Sequence, residues 1–341
     1  MARLLVEDAS PGVGGALTSL AALVDVLTAH GHEVREQASS PKAAAQCGVE
    51  ALALHDGDGA FAMRVARRSV SLMREAHRWK PDVLLGNNAP APNLACAITA
   101  RTLGIPRLQY VRGAFHHGRL PRAVLADAAV VFAVGEEVHA KLPIALRVEE
   151  GLSDAQWPSA RRGPSTRRFW CATLAPWKGV SLFCEVLAEA PGEGADLCAA
   201  DLACWGQPAP IEEPTPPGCI VHRNASQSAI DALRARCGIY VHTALQPEPF
   251  GRSVLEAMAA GLCPVVPDEG GPRTLIEHGV TGLHYQARSK TSLVQALHRL
   301  DASEPLREAL SRESARAAQR HRAGIAFEPV RLAMERVARG R

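Results

Sequence analysis

Short apolar runs alternate with amphipathic stretches of helical spacing along the whole 341-residue chain, and this rhythm restricts the fold more than any other feature. At the start, RLLVE reads as a strand and SPGVGG as a Gly/Pro turn. ALTSLAALVDVLTAHG then reads as a helix with Leu17, Leu20, Leu23, Val24 and Leu27 on one side, closed by Gly31. HEVRE is the next strand, and residues 38–60, rich in Ala, Gly and Ser, read as a loop. FAMRVARRSVSLMREAHRWK is a helix stopped by Pro81; DVLLG is a strand, PNLACAITARTLG a helix, and PRLQYV and AAVVFAV are strands. The rhythm breaks at RRGPSTRR, residues 161–168, a basic Pro/Gly stretch read as a linker. A second series then begins. RFWCATL, DLCAA, CIVH, GIYVHT and CPVVP are strands, and GVSLFCEVLAEA and SQSAIDALRARC are helices. Helices near 289–300 and 304–320 precede a last one ending at Arg341.

Strands regularly separated by helices imply parallel sheets covered on both faces. The length exceeds what one core comfortably serves, so two domains are expected. The prediction is α/β: two tandem Rossmann-like doubly wound domains, 1–160 and 161–310, with helices in 311–341 packing back toward the first. Ligands of such sheets bind beyond the carboxyl ends of the strands, so a cleft between the domains is the expected active site.

Composition excludes several classes. Hydrophobic residues make up 47% and charged residues 21%, as in ordinary globular proteins, and the net charge of +3 is too mild for a nucleic-acid binder. Attraction to anionic ligands or lipid surfaces is compatible with it. The nine cysteines form no CxxC pair and sit in apolar runs, which reads as free thiols in a cytoplasmic protein. No stretch has the length of a membrane span, and the amino terminus lacks the apolar region of a signal peptide.

Four stretches carry candidate chemistry. In PGVGGAL, Gly14 and Gly15 follow a strand and open a helix, so a phosphate or sugar can approach backbone amides there; a plain strand-to-helix turn uses the same residues. In LAPWKGVSLF, Lys178 and Gly179 lie at a second strand-to-helix junction, where a lysine can neutralise a diphosphate, or simply be solvated. In EPFGRSVLEAMAAG, Glu248 ends a loop and Glu256 lies about two turns into the following helix, with Phe250, Gly251 and Arg252 at the helix start. Seven residues between two acids suit no helical ion-pair spacing. The pair suits one ligand held at both ends, a sugar near Glu248 and the cis diol of a ribose at Glu256. Gly270 and Gly271 form one more turn, either structural or lining the donor site.

The E-x7-E motif at Glu248 and Glu256, with PGVGG, KPDVLLGNN, GIPRLQYVRGAF and LAPWKG, resembles the retaining nucleotide-sugar glycosyltransferases of family 4, which have the GT-B fold. The resemblance extends over nearly the whole chain. It implies a catalytic pair, Glu248 near the transferred sugar and Lys178 on the diphosphate. It further implies donor contacts at Gly14, Gly15, Phe250, Gly251, Arg252, Glu256 and Gly271, and no metal or other cofactor. The DGD at Asp56–Asp58 matches a metal-binding DxD in letters only. The chain departs from its relatives at several places. Ala172-Thr173 replaces a Gly-Arg pair, so one diphosphate cation is missing; Arg252, Arg273, Arg112 and Arg168 are the candidate substitutes, and Thr173 itself is a candidate contact. Arg112 stands where relatives carry a histidine, with His116 and His117 close behind; Glu150-Gly151 replaces an Asn-Gly pair.

The expected activity is transfer of a hexosyl group, with retention, from a UDP-, GDP- or ADP-linked donor (UDP first) to a hydroxyl. The acceptor is a small molecule, an oligosaccharide or a lipid-linked glycan, and the enzyme is a monomer or homodimer in the cytoplasm or at the inner face of a membrane. The rivals are a nucleotide-sugar epimerase on the same fold and a catalytically weak nucleotide-sugar-binding relative.

Overall fold

The computed structural model describes residues 1–8, 14–38, 51–53, 61–88, 90–113, 118–201 and 215–340. They pack as two units, Met1–Ala155 with His321–Arg341, and Gln156–Arg320.

The first unit is built on seven parallel strands: β1 (Arg3–Asp8), β2 (Glu33–Ala38), β3 (Ala51–Ala53), β4 (Val83–Asn87), β5 (Arg107–Val111), β6 (Val130–Val134) and β7 (Leu146–Val148). Their order is β3-β2-β1-β4-β5-β6-β7, so the chain reverses direction across the sheet between β1 and β4. Every residue of β4 and β5 is buried, as strands covered on both faces require. The helices are α1 (Gly15–Ala29), α2 (Phe61–Trp79), α3 (Leu94–Leu103), α4 (Arg119–Ala126) and α5 (Gly135–Lys141). The apolar stripe of α1 is buried as its spacing predicts, and Gly31 just past its end has φ +80°. On the α2–α3 side, Leu72 and Trp79 meet Leu5, Leu84, Cys96 and Ile105 in one core.

The second unit has six parallel strands: β8 (Arg168–Thr173), β9 (Ala195–Ala200), β10 (Cys219–Arg223), β11 (Ile239–Val241), β12 (Cys263–Pro267) and β13 (Leu283–Tyr285), in the order β10-β9-β8-β11-β12-β13. Its helices are α6 (Val180–Glu189), α7 (Gln227–Arg234), α8 (Arg252–Ala259), α9 (Gly270–Leu275), α10 (Lys290–Asp301) and α11 (Glu304–Ala318). One sheet face is apolar: Trp170, Leu197, Val241 and Val265 bury Phe183 of α6 and Leu293 and Leu297 of α10. Trp170 stacks on Phe183 at 6.2 Å between ring centroids. At roughly 1.5–3 kcal/mol for each large apolar side chain taken from water, this layer holds the sheet to its helices.

The chain returns to the first unit through α12 (Ala323–Ala326) and α13 (Glu328–Arg339). Leu152 N–H donates to His321 O and Ala323 N–H to Leu152 O, each at 2.9 Å, and His321 Nδ1 lies 3.1 Å from Glu150 O. A side chain at Gly151 would stand 2.7 Å from Ala323 Cα, so the Gly of Glu150-Gly151 is set by this close passage.

The divisions between units fall at 155/156 and 320/321, where composition suggested 160/161 and 310/311. The second difference has a clear cause: α11 packs on α8 and β12 and so belongs to the second sheet. Strands β3, β7 and β13 and helices α4 and α5 add to the elements read from sequence. The Asp56–Asp58 stretch lies outside the described residues.

Candidate functional site

In the second unit, the chain leaves β8 through a tight turn (Pro176–Lys178) that ends on Lys178. Trp170 Nε1 donates to Thr243 Oγ1 at 2.9 Å, and Thr243 Oγ1 donates to Lys178 O at 3.0 Å. Gly179 has φ +68°, and a side chain there would stand 2.0 Å from Thr243 O. Only glycine lets the turn lie this close to the end of β11. Lys178 is thereby aimed at Glu248, with Nζ 2.5 Å from Oε1.

A third group joins them. His242, immediately after β11, is buried and places Nε2 3.4 Å from the same Glu248 oxygen. Burial raises the Glu248 carboxyl, but Lys178 and then His242 outweigh it and hold it below its usual range. Burial pushes the His242 imidazole below its usual value; the carboxylate opposes that shift and the lysine adds to it. Sequence reading missed His242, since nothing about a histidine at a strand end marks it.

Gly251 precedes α8 with φ +94°, and Phe250 is buried. Glu256 is the fifth residue of α8, little more than one turn in, because the helix starts only at Arg252. The two turns expected from sequence are therefore too many. Glu256 is already engaged: Arg234 Nη2 donates to its Oε2 at 2.9 Å, and Arg252 Nε is 3.4 Å from its Oε1. Arg234 is buried, donates also to Asp231 at 2.8 Å, and lies 5.7 Å over the Phe169 ring. This buried arginine also escaped the sequence reading.

The Gly270-Gly271 turn serves packing. Gly271 N–H donates to Glu248 O at 2.7 Å, and a side chain at Gly271 would stand 2.4 Å from Phe250 Cα. The pair supports the Glu248–Phe250 backbone from behind, the structural one of the two roles expected of this turn.

The candidate replacement cations divide sharply. Arg168 is fully buried and donates to Asp301 at 2.5 Å. Arg252 donates to Gln156 at 2.7 Å besides leaning on Glu256. Arg273 is exposed on α9. Thr173 ends β8, half-buried.

The first unit places its own candidates at the carboxyl ends of β1, β4 and β5. Gly14 is the extended residue before α1, with open space where a side chain would stand, and Gly15 is the first residue of the helix. Arg112, expected to meet a sugar or phosphate, is buried and turned inward. It donates to Asn87 Oδ1 at 2.7 Å and Glu150 Oε1 at 2.8 Å, bonds Ser19, and stacks 3.7 Å over Tyr110. Glu150 in place of a neutral residue is what holds the guanidinium there. His116 and His117 lie outside the described residues. Among the described residues, no cluster of three His, Cys, Asp or Glu side chains could hold a metal, and no helix is long and apolar enough to cross a membrane.

Two parallel-stranded Rossmann-like units in one chain define the GT-B class, and solved structures of that class match it. Anabaena HepE, solved in complex with UDP, is 18% identical, with a TM-score of 0.78 over 98% of this chain and 100% of that one. A glycosyltransferase from Rickettsia africae is 12% identical, with a TM-score of 0.80 over 100% of this chain and 99% of that one. At such identities the likeness establishes the fold. Residues 170–317, within the second unit, match the family model for Glycosyl transferases group 1. A sucrose synthase of Melioribacter roseus is 40% identical over 67 residues, 20% of this chain; the match spans 8% of the length of that relative.

Proposed function

We propose that the protein transfers a sugar from a nucleoside diphosphate donor to an acceptor hydroxyl, retaining the anomeric configuration, as family 4 enzymes do. One observation carries the reading. Lys178 and Glu248 meet at the carboxyl ends of β8 and β11, inside the segment that matches Glycosyl transferases group 1. Lys178 receives the charge that grows on the departing diphosphate as the anomeric C–O bond breaks. Glu248, kept ionised, lies beside the oxocarbenium-like sugar, and the acceptor oxygen attacks from the leaving-group side. Glu256 takes the ribose diol. UDP-sugars are the first donors to test, since HepE, of the same fold, is solved with UDP. GDP- and ADP-sugars follow. The reaction needs no metal or other cofactor, and free thiols suit the reducing cytoplasm.

The test is incubation with labelled UDP-, GDP- and ADP-sugars, with release of free or transferred sugar followed over time. The wild type should release sugar. Lys178→Ala should lower kcat about 10²–10³-fold, the scale of one transition-state charge contact, with a smaller change in KM. Tight UDP binding without release would overturn the proposal. That result favours the second reading, a nucleotide-sugar-binding relative with weak catalysis, for which Thr173 in place of a diphosphate arginine speaks.

A further inference from the structure

The outer surface of the first unit has a composition that its sugar-transfer reading does not use. Helices α2, α3 and α4 join β3 to β4, β4 to β5 and β5 to β6, all running the same way across the sheet, so right-handed crossovers place them on one face. Together they carry eight arginines (64, 67, 68, 74, 78, 101, 119 and 122) and a single acid, Glu75; Arg68 is buried on Glu7 at 2.8 Å, which leaves seven for the surface. The whole chain nets only +3, so the imbalance is local. Glu75 is buried and already shared by Arg35 and Arg78, each at 2.6 Å. Asp127, just beyond α4, is taken by Arg107 at 2.8 Å and lies 3.6 Å from Arg101. Arg67, Arg74, Arg119 and Arg122 have no acidic partner among the described residues.

The same helices expose apolar side chains between those charges. Along α2 the outward stripe runs Met63, Arg67, Val70, Arg74, Arg78, spaced by three or four residues. Phe61, Met63 and Val70 are 43%, 48% and 43% exposed. Ile98 and Leu103 on α3 and Leu120 on α4 continue the pattern. A sugar-phosphate backbone would use the arginines and leave these side chains in water. An anionic bilayer uses both: the guanidiniums meet headgroup phosphates and the apolar side chains enter the acyl boundary.

We infer that the α2–α3–α4 face docks on a membrane surface rich in anionic lipid. This attachment is a property of the first unit alone and stands whether or not the sugar-transfer reading holds.

The experiment is sedimentation of the full chain with vesicles of phosphatidylcholine, with or without phosphatidylglycerol. The protein should pellet with the anionic vesicles, stay free with the neutral ones, and dissociate as salt rises from about 0.05 M to about 0.5 M. Each arginine near such a surface is worth about fivefold in partitioning, so Arg67→Gln/Arg74→Gln/Arg119→Gln/Arg122→Gln should lose roughly 100-fold or more. Phe61→Ser/Met63→Ser/Val70→Ser should weaken binding to the same vesicles with charge unchanged, and Tm values near wild type confirm that both variants fold. No binding to anionic vesicles, equal binding to neutral ones, or undiminished binding by the quadruple variant would overturn the inference. So would stronger retention by duplex DNA than by anionic vesicles at equal salt, the sign of a nucleic-acid surface.

Discussion

Replacing Lys178 with methionine has a consequence whose pH dependence the geometry fixes. In the wild type, Glu248 Oε1 has Lys178 Nζ at 2.5 Å and His242 Nε2 at 3.4 Å. Methionine keeps the length and removes the charge. At about pH 8 His242 is neutral, and the variant leaves Glu248 as a desolvated carboxylate without a cation. Breaking a fully buried pair in this way costs about 3–5 kcal/mol. The Lys178 and Glu248 side chains are 22% and 13% exposed. Solvent screening therefore reduces the expected cost to about 1–3 kcal/mol. For a unit of this size that lowers Tm by roughly 2–10 °C.

Acid reverses the loss. The depressed Glu248 of the wild type contributes stability that is present above the unfolded value of about 4.3 and lost only as pH falls through the folded value, so it is constant between about pH 5.5 and 8. Without Lys178, burial has less to oppose it and raises the carboxyl. Glu248 then subtracts stability at high pH and stops doing so as it takes up a proton. His242, freed from the lysine that helps lower it, also protonates more readily and supplies the missing cation. In the wild type the lowered His242 costs stability as pH falls below about 6.5, which moves the difference the same way. The Tm gap between the two proteins should be widest at about pH 8 and at most half as large at about pH 5.5. Thermal unfolding at both pH values measures it. A gap that is constant, or that widens in acid, would refute the coupling of these three groups.

Three further outcomes can be checked. Glu256→Gln keeps an acceptor for Arg234 but would weaken the charged hydrogen bond to ribose that the proposed function assigns to Glu256; UDP affinity measured by calorimetry should fall about tenfold, and the preference for UDP over 2′-deoxy-UDP should shrink. Gly271→Ala forces the Phe250 backbone away, so the stability of unfolding should fall by about 1–3 kcal/mol, lowering Tm, and turnover should fall with it; a normal Tm would contradict the close approach. Asp196, wholly buried, binds Arg167 at 2.7 Å, His222 at 2.9 Å and Arg236, and despite the burial that raises it these partners hold it below the usual carboxylate range. Asp196→Asn should therefore cost about 3 kcal/mol or more in thermal unfolding at neutral pH, a deficit that shrinks only as pH falls below about 4 and the wild type itself loses the charge.

The fold was legible wherever apolar runs were long enough to set a period. β1, β4, β5, β8, β11 and β12 all coincide with runs read as strands, and the buried side of α1 is its leucine stripe. β3, β7 and β13 have three residues each, too few to show alternation. The site divides along the same line. Glu248, Phe250 and Glu256 fall within nine residues, and local spacing revealed them. Lys178 reaches Glu248 across 70 positions, and Arg234 reaches Glu256 across 22, distances over which periodicity carries no signal. His242 becomes recognisable only once the strand end it occupies is set beside the loop that returns Glu248. The two glycines at 270 and 271 announced a turn, but their purpose, to let another backbone pass, is invisible until that backbone is located.

The first unit is discontinuous, and this bears on how the protein is made. Its sheet is complete by Val148, yet Leu152, Glu150 and Gly151 wait for His321 and Ala323, which are translated more than 160 residues later. The second unit, by contrast, draws all of its elements from the continuous stretch Gln156–Arg320. A polypeptide interrupted near residue 320 would hold every element of the second unit beside a first one that still lacks its sealing helices.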